Sequence, residues 1–248
     1  LAQTLRLIQQ QGLRGFYEGK TAELIAAEMK RGGGIISLAD LKNYKVAERK
    51  PLEFDYKGHR IVSMPLPSSG GTLLAQMLKM ASYQNLEKYS VNSPQAVQIM
   101  VEAERRAYAD RAEYMGDPDF INDRTAMLIS DEYLRNRWKS YNDQKATPSA
   151  EVGKIITPEK ESTETTHISI IDKDGNAASV TTTLNGLYGS KVVVSGAGFF
   201  LNNEMDDFSV KPGVPNMFGA VGGEANKIEP KKRMLSSMTP TVVLKDGK

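Results

Sequence analysis

The spacing of apolar residues changes period partway along this chain, and no other feature limits its fold as strongly. Through roughly the first 160 residues apolar positions recur at helical intervals; from Thr165 to Leu201 they alternate in a strand-like run rich in Thr, Val, Ser and Ile. Between the two lies Lys145 to Glu164, with Pro148, Pro158, many charges and no aromatic residue, which reads as a linker or exposed loop. A domain or subunit boundary is expected there, separating a mainly helical part, 1–164, from a β-rich part, 165–248.

Within the first part, helices are expected near 2 to 11 and 20 to 31, the second closed by Gly32-Gly33-Gly34, and Ser37 caps a short helix through Asn43. Phe54 and Tyr56, then Ile61 and Val62, flank Lys57-Gly58 as a hairpin, and Pro65 to Gly71 reads as a loop. Thr72 opens another helix. Ser93-Pro94 heads the longest one, which runs to about Tyr114 and is crowded with Glu102, Glu104, Arg105, Arg106, Asp110 and Arg111. Such charges read as a solvated face with i,i+4 pairs. Both ends look cut: Leu1 opens inside a helical pattern without Met, and Val242 to Leu244 runs into the hairpin signal Asp246-Gly247 with no returning strand. A segment of a longer protein is expected, with an unpaired sheet edge.

Composition narrows the chemistry. The chain of 248 residues carries 32 Lys plus Arg against 30 Asp plus Glu, and its longest basic run is Lys231, Lys232, Arg233, too little clustered charge for nucleic acid. No apolar stretch approaches the roughly 20 residues of a membrane span, and Leu1 to Leu13 lacks the blocks of a signal peptide. Zero cysteines exclude a disulfide scaffold, a thiolate metal site and a cysteine nucleophile. His59 and His167 alone supply a His-ligated metal or a Ser-His-Asp triad poorly. No cofactor and no metal are expected, so Ser, Thr, carboxylates and backbone amides must do the work.

Thr165 to Asp172 and Asn176 to Asn185 flank Lys173-Asp174-Gly175 and should pair as a second hairpin. A three-residue loop segregates Thr166, Ile168, Ile170, Ala178, Val180 and Thr182 on one face from Thr165, His167, Ser169, Ser179, Thr181 and Thr183 on the other, whereas a two-residue loop scatters the apolar residues over both. The three-residue register sets Thr165 across from Thr183, with Asn185 one step along. If the bond from Glu164 to Thr165 is cut, Thr165 gains an α-amine that can act as general base for its own hydroxyl, with no histidine needed. A plain strand residue after a loop fits the hairpin equally. Further on, Leu201 to Asp207 ends a strand with Glu204 and Asp207 spaced to face one pocket, suited to a ligand ammonium, to a calcium-type loop or to a solvated turn. Pro215 to Lys232 is a long, glycine-bearing irregular segment of the lid type, and Ser236-Ser237-Met238 precedes a strand, as a turn or as a carboxylate cradle.

Together these segments resemble the γ-glutamyltranspeptidase family. The residues that carry the resemblance are Thr165-Thr166-His167, Asp172 to Asn176, Thr183-Leu184-Asn185, Leu201 to Phe208, Lys211 to Asn216 and Leu235 to Pro240, joined in the helical half by Met64 to Gly71, Tyr108 to Arg111 and Gly116 to Phe120. The resemblance covers essentially the whole chain. It implies an α+β, four-layer αββα fold of N-terminal nucleophile hydrolases, incomplete in this chain, in a periplasmic or secreted protein that autocleaves into a heterodimer of large and small subunits. It implies transfer of a γ-glutamyl group from glutathione and related compounds to water, amino acids or dipeptides. By position, Thr165 is similar to the nucleophile and Thr183 to the hydroxyl supporting it. Asn185, Glu204 and Asp207 correspond to the groups holding the substrate α-amine and α-carboxylate region, and Ser236 and Ser237 to carboxylate binders.

The resemblance also places the family's oxyanion-hole Gly-Gly pair just beyond Lys248 and its carboxylate-binding arginine before Leu1, so residues 1–248 alone are expected to be inactive. Phe218 falls where bacterial members often have a lid tyrosine. The rival readings are a related acylase or capsule-processing enzyme, and a non-catalytic fragment that binds a ligand without turnover.

Overall fold

The structure, a computed structural model, describes residues 1–153, 164–209, 211, 214 and 222–247. The central part of the expected linker, 154–163, and the loop 215–221 with Phe218 lie outside the described residues. The chain divides into two compact units, one of residues 1–49 with 183–203 and the other of 50–182 with 204–248.

The first unit holds α1 (Ala2–Gln11), α2 (Arg14–Tyr17), α3 (Gly19–Gly32) and α4 (Leu38–Asn43). Their ends follow the sequence signals. Gly33, at φ +74°, closes α3 in the left-handed region that glycine tolerates best, and Ser37 and Asp40 form a reciprocal capping box on α4. Ala22, Ile25 and Leu41 bury their side chains with Val194 and Ala197, and the Thr4 hydroxyl donates to the Ala197 carbonyl at 3.0 Å. The stretch 183–203 was expected to be strand as far as Leu201. It is instead a series of turns with one isolated bridge, Val193 to Phe200. Positive φ at Asn185, Tyr188, Gly189, Lys191, Gly196 and Gly198 is incompatible with a continuous ladder and overrides the β-branched residues between them.

The second unit opens with β1 (Leu52–Tyr56) and β2 (His59–Ser63), joined by Lys57 and Gly58 at φ +48° and +77° as a two-residue turn of the I′ kind. There follow α5 (Gly70–Ser82), two residues longer at its start than expected, and α6 (Pro94–Tyr114), whose Ser93 cap accepts from the Ala96 amide. Next come α7 (Thr125–Leu128), α8 (Asp131–Trp138), α9 (Ser149–Val152), β3 (Thr166–Ile171), β4 (Ala177–Thr182) and β5 (Thr241–Leu244). β5 pairs antiparallel with β2, in the order β1-β2-β5, so the strand expected to stand without a partner has one on this side. The main core lies among α5, α6 and α8, with Leu73, Met80, Ile99, Ala103, Leu134 and Trp138 buried.

Helix α6 departs from expectation in what it buries. Glu102, Arg106, Asp110 and Arg111 are not on a solvated face; Arg106 is 0% and Glu102 2% exposed. The i,i+4 pair of Glu102 and Arg106 forms inside the core, and Arg137 pairs with Asp110 at 3.1 Å. Burial pushes the Asp110 carboxyl up, against the Arg137 charge and bonds from Tyr133 and Gln76. The supposed linker is also built in at its near end, since Thr147 and Val152 are buried and the Thr147 amide donates to Glu102 Oε1.

Candidate active site

The hairpin β3-β4 adopts the three-residue register. Thr166 pairs with Thr182, Ile168 with Val180 and Ile171 with Ala177, while Gly175 takes φ +84° in the loop. Asp172 fixes this loop by accepting from the Asp174 and Asn176 amides at 2.9 Å each. Thr165 is exposed and immediately precedes the first paired residue, on the polar face where His167 lies between the hydroxyls of Thr181, at 2.8 Å, and Ser169, at 3.0 Å. The apolar face is only half covered, with Ile168, Ile170 and Val180 about half exposed.

Thr183 and Asn185 belong to the first unit. Thr183 Oγ1 accepts from the Asn185 amide at 2.9 Å, which pins the hydroxyl oxygen on its own turn. Asn185 is buried at φ +72°, and its Nδ2 donates to the Asn203 carbonyl at 3.3 Å while Asn203 Oδ1 accepts from the Gly186 amide. Asparagine suits this position because its short amide tolerates the left-handed region.

Glu204 and Asp207 belong to the second unit and sit on one 3-10 turn, Glu204–Asp207, rather than at a strand end. Burial pushes the Glu204 carboxyl up. Among the described residues no group of three or more His, Cys, Asp or Glu is arranged to hold a metal ion. Asn226, 5% exposed, ties the turn to the serine segment: its Nδ2 donates to the Asp207 carbonyl at 2.6 Å and its Oδ1 accepts from the Leu235 amide at 3.0 Å. Asp117 holds the same segment two residues earlier, accepting from the Arg233 amide at 2.8 Å.

Ser236 and Ser237 face the loop ahead of α5. Ser236 donates its amide to the Pro67 carbonyl and accepts at its own carbonyl from the Ser69 amide and hydroxyl, at 2.8 and 2.9 Å. The Ser236 Oγ accepts from the Met238 amide at 3.0 Å. Between these loops there is no room for a side chain at Gly70, where a Cβ would stand 2.2 Å from Thr239 Oγ1. From α6, the Arg111 guanidinium donates to Ser69 Oγ at 3.0 Å and to Ser237 Oγ at 3.1 Å.

The sequence profile described as gamma-glutamyltranspeptidase matches residues 1–248. This chain belongs to that family. Among curated relatives it is 48% identical over 248 residues to the glutathione hydrolase proenzyme of Escherichia coli strain K12, covering all of this chain and 43% of the relative. It therefore spans about two fifths of the length of the relatives it matches. Among solved structures, the γ-glutamyltranspeptidase of Helicobacter pylori superposes on 60% of this chain and 43% of its own at TM-score 0.58 and 42% identity. Cephalosporin acylase from Bacillus halodurans superposes on 100% of this chain and 42% of its own at TM-score 0.79 and 25% identity. The fold is the α+β arrangement of these N-terminal nucleophile hydrolases, incomplete in this chain.

Against the family pattern, three residues stand out that sequence reasoning left without a role: Ser69, Arg111 and Asn226. The doublet Gly70-Gly71 is the one local signal of a close backbone approach at the Ser69 loop; nothing local marks Asn226. Asn226→Ala should cost about 1–3 kcal/mol for each of the two backbone groups it orphans, while Asn226→Asp keeps the acceptor for Leu235 and falls between. Denaturant midpoints of the two variants and the parent check this ordering.

Proposed function

We propose that the whole protein is an autoprocessed threonine-nucleophile enzyme that cleaves the γ-glutamyl amide of glutathione and related compounds. The observation that carries the reading is the 48% identity over the full chain to a glutathione hydrolase proenzyme. Acylase and capsule-processing readings fit less well, identity falling to 38% with a capsule biosynthesis proenzyme and to 34% with an acylase proenzyme. An activity assay on the whole protein separates this reading from a binding fragment without turnover.

In this reading the Thr165 hydroxyl attacks the carbonyl of Glu164, an N-to-O acyl shift, and hydrolysis of the ester leaves residues up to 164 in the large subunit and Thr165 heading the small one. The new α-amine, with an ordinary pKa near about 8, takes the Thr165 hydroxyl proton as Oγ1 bonds to the substrate's γ-carbonyl carbon. The C–N bond then breaks and the same proton passes to the leaving Cys-Gly amine. Water resolves the γ-glutamyl ester to glutamate, or an amino acid or dipeptide takes the group. By the family resemblance Thr183 is assigned to the hydroxyl that supports the nucleophile, Asn185, Glu204 and Asp207 to the groups holding the substrate α-amine and α-carboxylate region, and Ser236 and Ser237 to carboxylate binders. A periplasmic or secreted location suits an enzyme of this family, and no helix among the described residues is long and apolar enough to cross a membrane.

The whole protein should run as two chains, the smaller beginning at Thr165 by mass, and should release aniline from a γ-glutamyl anilide. A single uncut chain with no turnover would sink the proposal. Asp207→Ala should still mature but lose about 2–5 kcal/mol of kcat/KM on that anilide, the cost of leaving an ammonium without its partner. Unchanged efficiency removes Asp207 from the site.

A further inference from the structure

The Arg111 guanidinium does more than fill the interior. It is 9% exposed, lies on α6, and forks between two serines from loops far apart in sequence, Nε to Ser69 Oγ at 3.0 Å and Nη2 to Ser237 Oγ at 3.1 Å. Arginine only donates. Each serine oxygen it touches is therefore an acceptor in that bond, and the serine's single proton must point elsewhere. For Ser69 the destination is visible, since its hydroxyl donates to the Ser236 carbonyl at 2.9 Å. Ser237, by contrast, is exposed, and its proton must point away from the guanidinium. Ser236 is arranged alike, its Oγ accepting from the Met238 amide at 3.0 Å. Two neighbouring hydroxyls thus have their oxygens engaged by N–H donors, with a buried cation behind one of them. That is an arrangement for an anionic acceptor.

We infer that Arg111 is a positioning residue for substrate carboxylate recognition, orienting the Ser237 hydroxyl as a donor and holding the Ser69 loop against Ser236. The inference rests on the γ-glutamyl reading above and extends it to a residue that acts through Ser237 rather than by touching substrate. It also accounts for why α6 buries an arginine beside two loops whose glycine admits no Cβ: the fork holds them at that separation.

The test uses the mature whole protein and two probes, a γ-glutamyl anilide with a free α-carboxylate and its α-methyl ester. Arg111→Met should raise KM for the free acid roughly tenfold to a hundredfold, the worth of one hydrogen bond to a charged group, with kcat changed by less than about threefold. KM for the ester, which lacks the charge, should hardly move. Arg111→Lys keeps the charge but cannot fork, and should fall between; it carries the same comparison if the Met variant does not fold. In a Ser237→Ala background the Arg111 effect should largely vanish, because the two act through one hydroxyl. Equal losses on acid and ester, or full additivity with Ser237→Ala, would show a merely structural arginine and overturn the inference. A parent protein that turns over neither probe would instead overturn the functional reading beneath it.

Discussion

Thr165→Ala should leave the whole protein as one uncut polypeptide and lower γ-glutamyl turnover by on the order of 10⁴-fold or more, since in the proposed mechanism it removes the nucleophile and with it the covalent step. The substitution is a clean one because Thr165 stands just outside the ladder of β3 and is exposed, so a change in stability beyond about 0.5 kcal/mol is not expected. Thr165→Ser retains a hydroxyl and should cut slowly and turn over weakly. Mass measurement of the purified variants, beside anilide release, reads both effects at once. Two chains with the usual new N-terminus from Thr165→Ala would mean that another group performs the cleavage.

That prediction depends on a register legible in the sequence. The three-residue loop at Lys173-Asp174-Gly175 follows from apolar residues that segregate in one register only, and the structure adopts it. The turn at Lys57-Gly58, the caps at Ser37 and Ser93 and the glycine after α3 were legible for the same reason: each is decided by residues within a few positions. What failed was decided at a distance. The charges of α6 match a solvated helix until Ser140 and Thr147, some forty residues later, close over Arg106. The stretch after Thr183 has the β-branched content of a strand, but its repeated positive φ values serve a turn-rich packing on α3. The roles proposed for Thr165 and the Ser236-Ser237 pair come from the family resemblance. The Arg111 fork spans 126 residues to Ser237, a pairing that local spacing does not reveal.

The interior of α6 offers the other large effect. Arg106 spends all five of its donors: Nε on the Arg137 carbonyl, Nη1 on the Glu102 carbonyl and Oε2, Nη2 on Ser140 Oγ and Thr147 Oγ1. Its guanidinium also lies 5.2 Å from the Trp138 ring centre. Glu102 answers with both oxygens, Oε1 accepting from Arg105 at 2.6 Å and from the Thr147 amide at 3.2 Å. Burial works to raise the Glu102 pKa, but bonds from Arg106 and Thr147, the Arg106 charge and Arg105 hold it below its ordinary 4.5. Arg106→Met should therefore cost about 3–5 kcal/mol, the penalty of removing one partner of a buried ion pair, with Arg105 and the Thr147 amide left on Glu102 Oε1. Glu102→Gln with Arg106→Met should cost less than the two changes summed, because the second removes the charge that the first leaves unpaired. The sign with pH follows: the parent's Glu102 contribution is complete above the unfolded value and disappears as pH falls through the lower folded one. The gap between parent and Arg106→Met should accordingly narrow on acidification below about 4.5. Denaturant midpoints across that range measure it, and a loss under about 1 kcal/mol at neutral pH would mean that the network is dispensable to α6.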